Sequence, residues 1–216
     1  MNTVIFNRSH SVLNVFLSEL RDTSIQQDPM RFRKNIERIA EVIGYEISKT
    51  FSYEPQSVTT PLGTAEELLP QSQPVIASIL RAGLSMHSGL LNYFDRAENA
   101  FVSAYRIEKD NGDLDFHVEY NASPSLDGKT LILADPMLAT GSSMCLAYDA
   151  LLRHGTPAQV HLASVIGAPE GVEKVRAYFP ENTQLWIGAV DEKLNDKSYI
   201  VPGLGDAGDL SYGIKE

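Results

Sequence analysis

One cysteine, Cys145, stands among 216 residues, which excludes an internal disulfide and any metal site built of clustered thiolates. On the helix expected around it, a lone thiol reads as a small buried hydrophobe and not as a nucleophile. The 5 histidines, His10, His87, His117, His154 and His161, are scattered and make no H-E-x-x-H pair. No apolar run is long enough to span a bilayer, so no membrane partner is expected. Met1-Asn2-Thr3-Val4-Ile5-Phe6-Asn7-Arg8 lacks the long apolar stretch of a signal peptide, and the expected location is cytoplasmic. Cations are the minority charge, 18 against 28 acids, for a net charge of −10. Nucleic-acid binding leaves a basic footprint, so this balance argues against that class of partner. The acidic turn Asp110-Asn111-Gly112-Asp113 lacks the ligand spacing of a calcium loop. Internal repeats, low-complexity segments and an interdomain linker are all missing.

What is present is a globular composition, 43% hydrophobic and 21% charged, in a chain long enough for one sizeable core. A single domain over 1–216 is expected, with a core at about 72–190, an N-terminal helical segment at 11–51 and a C-terminal segment at 191–216. Asp28-Pro29 opens a helix of about 20 residues whose apolar stripe is Phe32, Ile36, Ile39, Ile43, Ile47 and Phe51. Residues 57–63 read as an extended arm and 64–69 as a helical turn. Strands are expected at 75–80, 100–105, 131–134, 159–166 and 185–190, with helices at 84–94, 144–153 and 169–179. Gly155 reads as a helix C-cap. Residues 114–120 alternate and form a hairpin with the strand before them. Strands alternating with helices mean an α/β fold, a mainly parallel sheet flanked by helices.

The stretch around which the rest is organised is Leu131-Ile132-Leu133-Ala134-Asp135-Pro136-Met137-Leu138-Ala139-Thr140-Gly141-Ser142-Ser143. A short apolar strand, a small hydroxyl-bearing turn and a helix N-terminus bring free N–H groups, a positive dipole end and hydroxyls to one spot. The lysine and spacing of the P-loop are not there, nor is G-x-G-x-x-G. An acid at the strand end can accept from sugar hydroxyls while the turn holds a phosphate on the same sugar. The competing reading is an ordinary strand–turn–helix with Ser142 as N-cap. Ligands of open parallel sheets lie at the carboxyl ends of the strands. Arg81, Arg106 and Asp135 are each expected just past a strand end, where they can converge. Taken singly, Arg81 also reads as a surface arginine and Arg106 as the partner of Glu108 or Asp110.

Asp135-Pro136-Met137-Leu138-Ala139-Thr140-Gly141 resembles the phosphoribosyl pyrophosphate (PRPP) motif of uracil phosphoribosyltransferases, within the type I phosphoribosyltransferases. Ile79-Leu80-Arg81-Ala82-Gly83-Leu84 and Tyr199-Ile200-Val201-Pro202-Gly203-Leu204-Gly205-Asp206-Ala207-Gly208-Asp209 match the same family in order and spacing. The resemblance implies that uracil and PRPP are the substrates and UMP and pyrophosphate the products. It implies PRPP binding by Arg81, Arg106, Asp135, Pro136, Met137, Leu138, Ala139, Thr140, Gly141, Ser142, Ser143 and Asp206. Uracil would be held by Ile200, Gly205, Asp206 and Ala207 in a C-terminal hood, and the catalytic set would be Asp135, Arg81, Arg106 and Asp206. It further implies Mg²⁺ carried mainly by PRPP with no direct protein ligand, GTP as a candidate activator, and a homodimer or higher homo-oligomer. Two departures stand out: residues 107–120 replace the family's usual loop with a hairpin expected to act as the lid, and Gly141-Ser142 stands where two glycines are usual. The alternative function is a PRPP- or nucleotide-binding regulator that has lost catalysis.

Overall fold

The computed structural model describes residues 1–108 and 114–215, and the side chains of 104–118 lie outside that description. In chain order the elements are β1 (Asn2–Ile5), α1 (Leu13–Arg21), α2 (Pro29–Ser48), β2 (Tyr53–Thr60), β3 (Gly63–Pro70), β4 (Val75–Leu80), α3 (Leu84–Leu91), β5 (Glu98–Glu108) and β6 (Leu114–Ala122). They continue with β7 (Thr130–Ala134), β8 (Met137–Leu138), α4 (Ser142–Leu151), β9 (Gln159–Gly167), α5 (Pro169–Tyr178), β10 (Gln184–Val190), β11 (Lys193–Leu194), β12 (Ile200–Val201) and α6 (Ala207–Tyr212).

The main sheet runs β1-β10-β9-β7-β4-β5-β6, with β8 alongside β9. Every pairing in it is parallel except β5 with β6. Its inner strands β4, β7, β9 and β10 are buried on both faces, so they read as nearly continuous apolar runs such as Leu131-Ile132-Leu133-Ala134, all inaccessible. One face is covered by α1, α2 and α3 through Leu17, Ile36, Ile43 and Leu90. The other packs on α4 and α5 through Met144, Ala147, Val172 and Val175. The expected α/β architecture is therefore the observed one.

Helix α2 starts where its sequence says it should. The Asp28 carboxylate accepts from the N–H groups of Met30 at 3.0 Å and Arg31 at 3.1 Å, and Pro29 fills the first turn. Its stripe of Phe32, Ile36, Ile39, Ile43 and Ile47 is fully in the core.

Several expectations are corrected. Residues 64–69 are not a helical turn but part of β3, paired antiparallel with β2 from Tyr53↔Pro70 to Thr60↔Gly63. Thr59, Thr60 and Thr64 favour an extended pair, and the Thr60 hydroxyl accepts from the N–H groups of Leu62 and Gly63 at the tip. β1 adds a parallel edge strand on β10 that the sequence reading passed over. β5 runs on to Glu108, so Arg106 does not sit past a strand end; it pairs with Phe116 inside the hairpin. The lid expected over 107–120 centres on residues 109–113, which lie outside the described residues, as does the Arg106 side chain. Among the described residues, no helix is long and apolar enough to cross a membrane.

Candidate active site

The carboxyl ends of β4 and β7 open into a cleft of about 740 Å³. Arg81 and Ala82 follow β4, Asp135 follows β7, and Lys197, Ser198, Tyr199, Asp206, Ala207 and Gly208 close it from the C-terminal side. A smaller pocket of about 60 Å³ adjoins it, lined by Asp135 and residues 137–144. Asp135, Met137, Ala139 and Ser143 face both spaces.

The small pocket is the turn between β7 and α4. Gly141 caps α4 at φ 77°, a left-handed conformation that glycine adopts without strain. The opening N–H groups of α4 have no intrahelical partner and point, with the helix dipole, into the pocket. The Thr140 hydroxyl accepts from the Ser142 N–H at 3.3 Å, which tightens the turn. From behind, α5 presses on the turn: a Cβ at Gly171 would lie 2.4 Å from the Ala139 carbonyl oxygen. An N-cap hydroxyl at Ser142 is therefore not the arrangement, since Gly141 holds that place.

Asp135 sits half-buried where the two spaces meet. Burial pushes its carboxyl up, the Asp206 charge adds to the rise, and the hydrogen bond from the Met137 N–H opposes it; the result is about 7. Two acids facing one cleft invite hydroxyl donors or a cation. Pro136, by contrast, lines neither space among the described residues; its carbonyl accepts from the N–H groups of Val165 and Ile166 and holds β9 in place.

The Arg81 guanidinium donates to Asp209 at 2.7 Å and to the Gly213 carbonyl at 2.6 Å, while its buried Nε has no partner among the described residues. It thus ties the cleft wall to α6 and keeps a donor in reserve. The C-terminal hood is fixed by a second arginine. Arg21 forks onto both Asp191 oxygens at 2.6 and 2.7 Å and donates to the Gly203 carbonyl at 2.9 Å. Asp191 in turn accepts from the Gly203 N–H at 2.9 Å, and Gln26 donates to the Leu204 carbonyl at 3.1 Å. Asp206 caps α6 by accepting from the Asp209 N–H at 2.9 Å. The C-terminal segment is therefore a braced turn followed by a helix.

Of the expected residues, Arg81, Asp135, Met137, Ala139, Ser143, Asp206 and Ala207 meet in the cleft, and Leu138, Thr140, Gly141 and Ser142 line the pocket beside it. Ile200 and Gly205 line neither among the described residues; Ile200 is buried in the core beneath the hood. Sequence reasoning missed Lys197, Tyr199 and Lys215 in the cleft, and Ser103 and Glu119 from the hairpin base. Asn195 was the available signal for two of them. Its side-chain oxygen accepts from the N–H groups of Lys197 and Tyr199, an Asx turn that presents both. Cys145 is buried and its thiol is pushed up to about 11, chiefly by desolvation, so it is inert as a nucleophile at neutral pH.

A family model described as uracil phosphoribosyltransferase matches residues 7–214. A uracil phosphoribosyltransferase of Porphyromonas gingivalis is 55% identical over 215 residues, covering 100% of each chain. Among solved structures, the AQ2163 protein from Aquifex aeolicus superposes with a TM-score of 0.86 at 32% identity, covering 98% of each chain. The adenine phosphoribosyl transferase of Trypanosoma brucei, in complex with AMP, pyrophosphate and ribose 5-phosphate, gives a TM-score of 0.56 at 12% identity, covering 88% of this chain and 84% of that one. At that identity the likeness is one of fold.

Proposed function

The chain belongs to the uracil phosphoribosyltransferase family, and from that membership we propose how its cleft divides the transfer of phosphoribose from PRPP to N1 of uracil. The chain is a pentosyltransferase of pyrimidine salvage, and the regulatory alternative finds no support. The observation that carries the residue assignment is the pair of adjoining spaces that share Asp135, Met137, Ala139 and Ser143. A sugar 5-phosphate fits that geometry, with its phosphate in the turn and its ring over Asp135.

In the reaction the bond from ribose C1 to the pyrophosphate oxygen breaks with its electron pair leaving on oxygen. A bond from C1 to uracil N1 forms with loss of the N1 proton. The carbon passes through oxocarbenium character, as in glycoside cleavage. Residues 139–143 hold the 5-phosphate through N–H groups and hydroxyls. Asp135 accepts from the ribose hydroxyls and stabilises the developing positive charge above it. Arg81 lines the cleft and is assigned to the pyrophosphate, with Lys197 and Lys215 adding charge from the hood. Arg106 is assigned to pyrophosphate on the resemblance alone. Ala207 and Gly208 present main-chain groups at the hood side of the cleft, where uracil would lie under Tyr199 and beside Asp206. Mg²⁺, which the resemblance implies is carried mainly by PRPP, would lie beside Asp135 and Asp206, two acids that line the cleft together. When bound it would supply positive charge against the leaving group. Conversion of radiolabelled uracil to UMP with PRPP and Mg²⁺ tests the reading, and failure to form UMP would refute it. Repeating the assay with GTP tests the activator that the resemblance implies.

Arg21 is placed as the brace of the uracil side. Removing it leaves the nearly buried Asp191 carboxylate without its partner. Arg21→Met should raise the KM for uracil by about tenfold and leave the KM for PRPP within about twofold, on the scale of a charged hydrogen bond. Equal rises in both constants would show a general loss of fold and not a loosened hood.

A homodimer or larger assembly is proposed from the arm of β2 and β3. All of β2 and nearly all of β3 are exposed, with Leu62 100% and Leu68 67% accessible. A lone two-stranded hairpin is marginal in water, so this one needs a surface to lie on, and a second copy of the chain supplies it. Sedimentation of the intact chain should give at least twice the monomer mass. Replacing residues 54–69 by a short turn should halve it; a monomeric intact chain at micromolar concentration would rule the assembly out.

A further inference from the structure

We propose that Lys174 is a positioning residue for the 5-phosphate, acting through the Ser142 hydroxyl; the proposal rests on the phosphate reading of the β7–α4 turn. Lys174 lies on α5, 32 positions along the chain from Ser142, and its ammonium donates to Ser142 Oγ at 2.7 Å. An ammonium can only donate, so Ser142 Oγ accepts there. The Thr140 hydroxyl donates to the same oxygen at 3.2 Å. A hydroxyl has two lone pairs and one proton. Both lone pairs are then taken by protein groups, and what remains is the O–H. Ser142 lines the small pocket, so that proton is left to donate into it.

The backbone holds this arrangement. Gly171, Lys174 and Val175 share one face of α5, spaced i, i+3 and i+4. That face is pressed on the turn: a Cβ built at Gly141 would lie 3.3 Å from Val175 Cγ1 and 3.4 Å from Lys174 Cβ. One helical turn further along, the Tyr178 hydroxyl donates to both Asp149 oxygens at 2.6 Å, which engages the acid that α4 carries on this side. Lys174 therefore spends its charge on Ser142. The charge also polarises the Ser142 O–H and makes it a better donor to a phosphate oxygen. In a chain of net charge −10, a cation placed behind the turn answers a local need of a dianionic ligand.

The test reads phosphate affinity separately from everything else. Lys174→Met should raise the KM for PRPP by about tenfold, the scale of one charge-assisted hydrogen bond, with kcat and the KM for uracil within about twofold. Equilibrium binding of UMP should weaken by the same factor while uridine binding stays unchanged. Lys174→Arg should recover most of the loss. In a Ser142→Gly background, Lys174→Met should change the KM for PRPP by less than about twofold, because the relay it acts through is gone. If Lys174→Met does not fold, Ser142→Ala carries the test with the same selective loss expected. Unchanged UMP binding in Lys174→Met, or an equal loss for UMP and uridine, would overturn the proposal. Ser143→Ala, which removes a hydroxyl of the turn that faces both spaces, separates the two levels. If it too leaves UMP binding untouched, the phosphate reading of the turn has failed; if it weakens UMP while Lys174→Met does not, only the role of Lys174 falls.

Discussion

Cytosine or hypoxanthine offered in place of uracil should be used with a kcat/KM lower by about 10⁴–10⁵-fold. The reason lies in what builds the side of the cleft proposed to take the base. Ala207 and Gly208, in the opening turn of α6, have N–H groups without intrahelical partners, and both residues line the cleft. These groups cannot rotate to suit a different base edge, unlike a hydroxyl or a side-chain amide. The segment before them is immobilised by the Arg21–Asp191 fork, by Gln26 on the Leu204 carbonyl and by the Asn195 turn. Cytosine replaces the O4 acceptor of uracil with an amino donor and loses the N3 proton. Each fixed partner then faces a group of its own kind, and both are buried unpaired. Hypoxanthine adds a second ring as well. Competition between bases at fixed PRPP measures the ratio directly. Comparable kcat/KM for cytosine or hypoxanthine would show that residues 198–208 do not read the base.

How much of this was legible depended on the range of the signal. The β7–turn–α4 unit could be read because a four-residue apolar run, Asp135-Pro136 and a small hydroxyl-rich turn all act within a few positions of one another. The start of α2 was equally local, an acid cap and a proline. β3 was misread because Glu66-Glu67-Leu68-Leu69 carries helix propensity, which its pairing with β2 overrides. β1 has too few residues to show a period and gains its strand form only from the edge of β10. α6 is not among the expected helices because Gly203, Gly205 and Gly208 leave its surroundings without a helical period, while the deciding feature is the Asp206 cap. Lys174 gave no signal. Its contact with Ser142 is made across two helices and depends on Gly171 and Gly141 allowing them close, which no spacing in the sequence records.

Asp135→Asn should lower kcat by about 10²–10³-fold, the usual cost of removing one preorganised charge at a reacting centre, and yet should make the empty protein more stable above neutral pH. The first effect follows from the amide's lack of charge: it can still meet a ribose hydroxyl but cannot offset the positive carbon. The second follows from linkage. The Asp135 carboxyl is pushed up to about 7 by burial and by Asp206, from an ordinary 3.8. Between those values the folded state holds a proton that the unfolded state has lost. The stabilising contribution of this group is fully present below about 3.8 and is lost as the pH rises through 7. Asparagine does not titrate, so the variant escapes that loss. Buried His161 works in the opposite direction over nearly the same window. Its ring is lowered by burial from 6.5 to about 4, so the stability it contributes is present above 6.5 and lost as the pH falls towards 4. In the parent the two groups partly cancel; in Asp135→Asn only the histidine remains, and stability should climb more steeply from pH 4 to 7. The Tm of the variant minus that of the parent should therefore grow with pH, reaching roughly several degrees by pH 8. Thermal unfolding at pH 4 to 8, read beside single-turnover assays, checks both halves. A Tm difference independent of pH would remove the strained carboxylate, and near-parental turnover in the folded variant would remove Asp135 from the ribose.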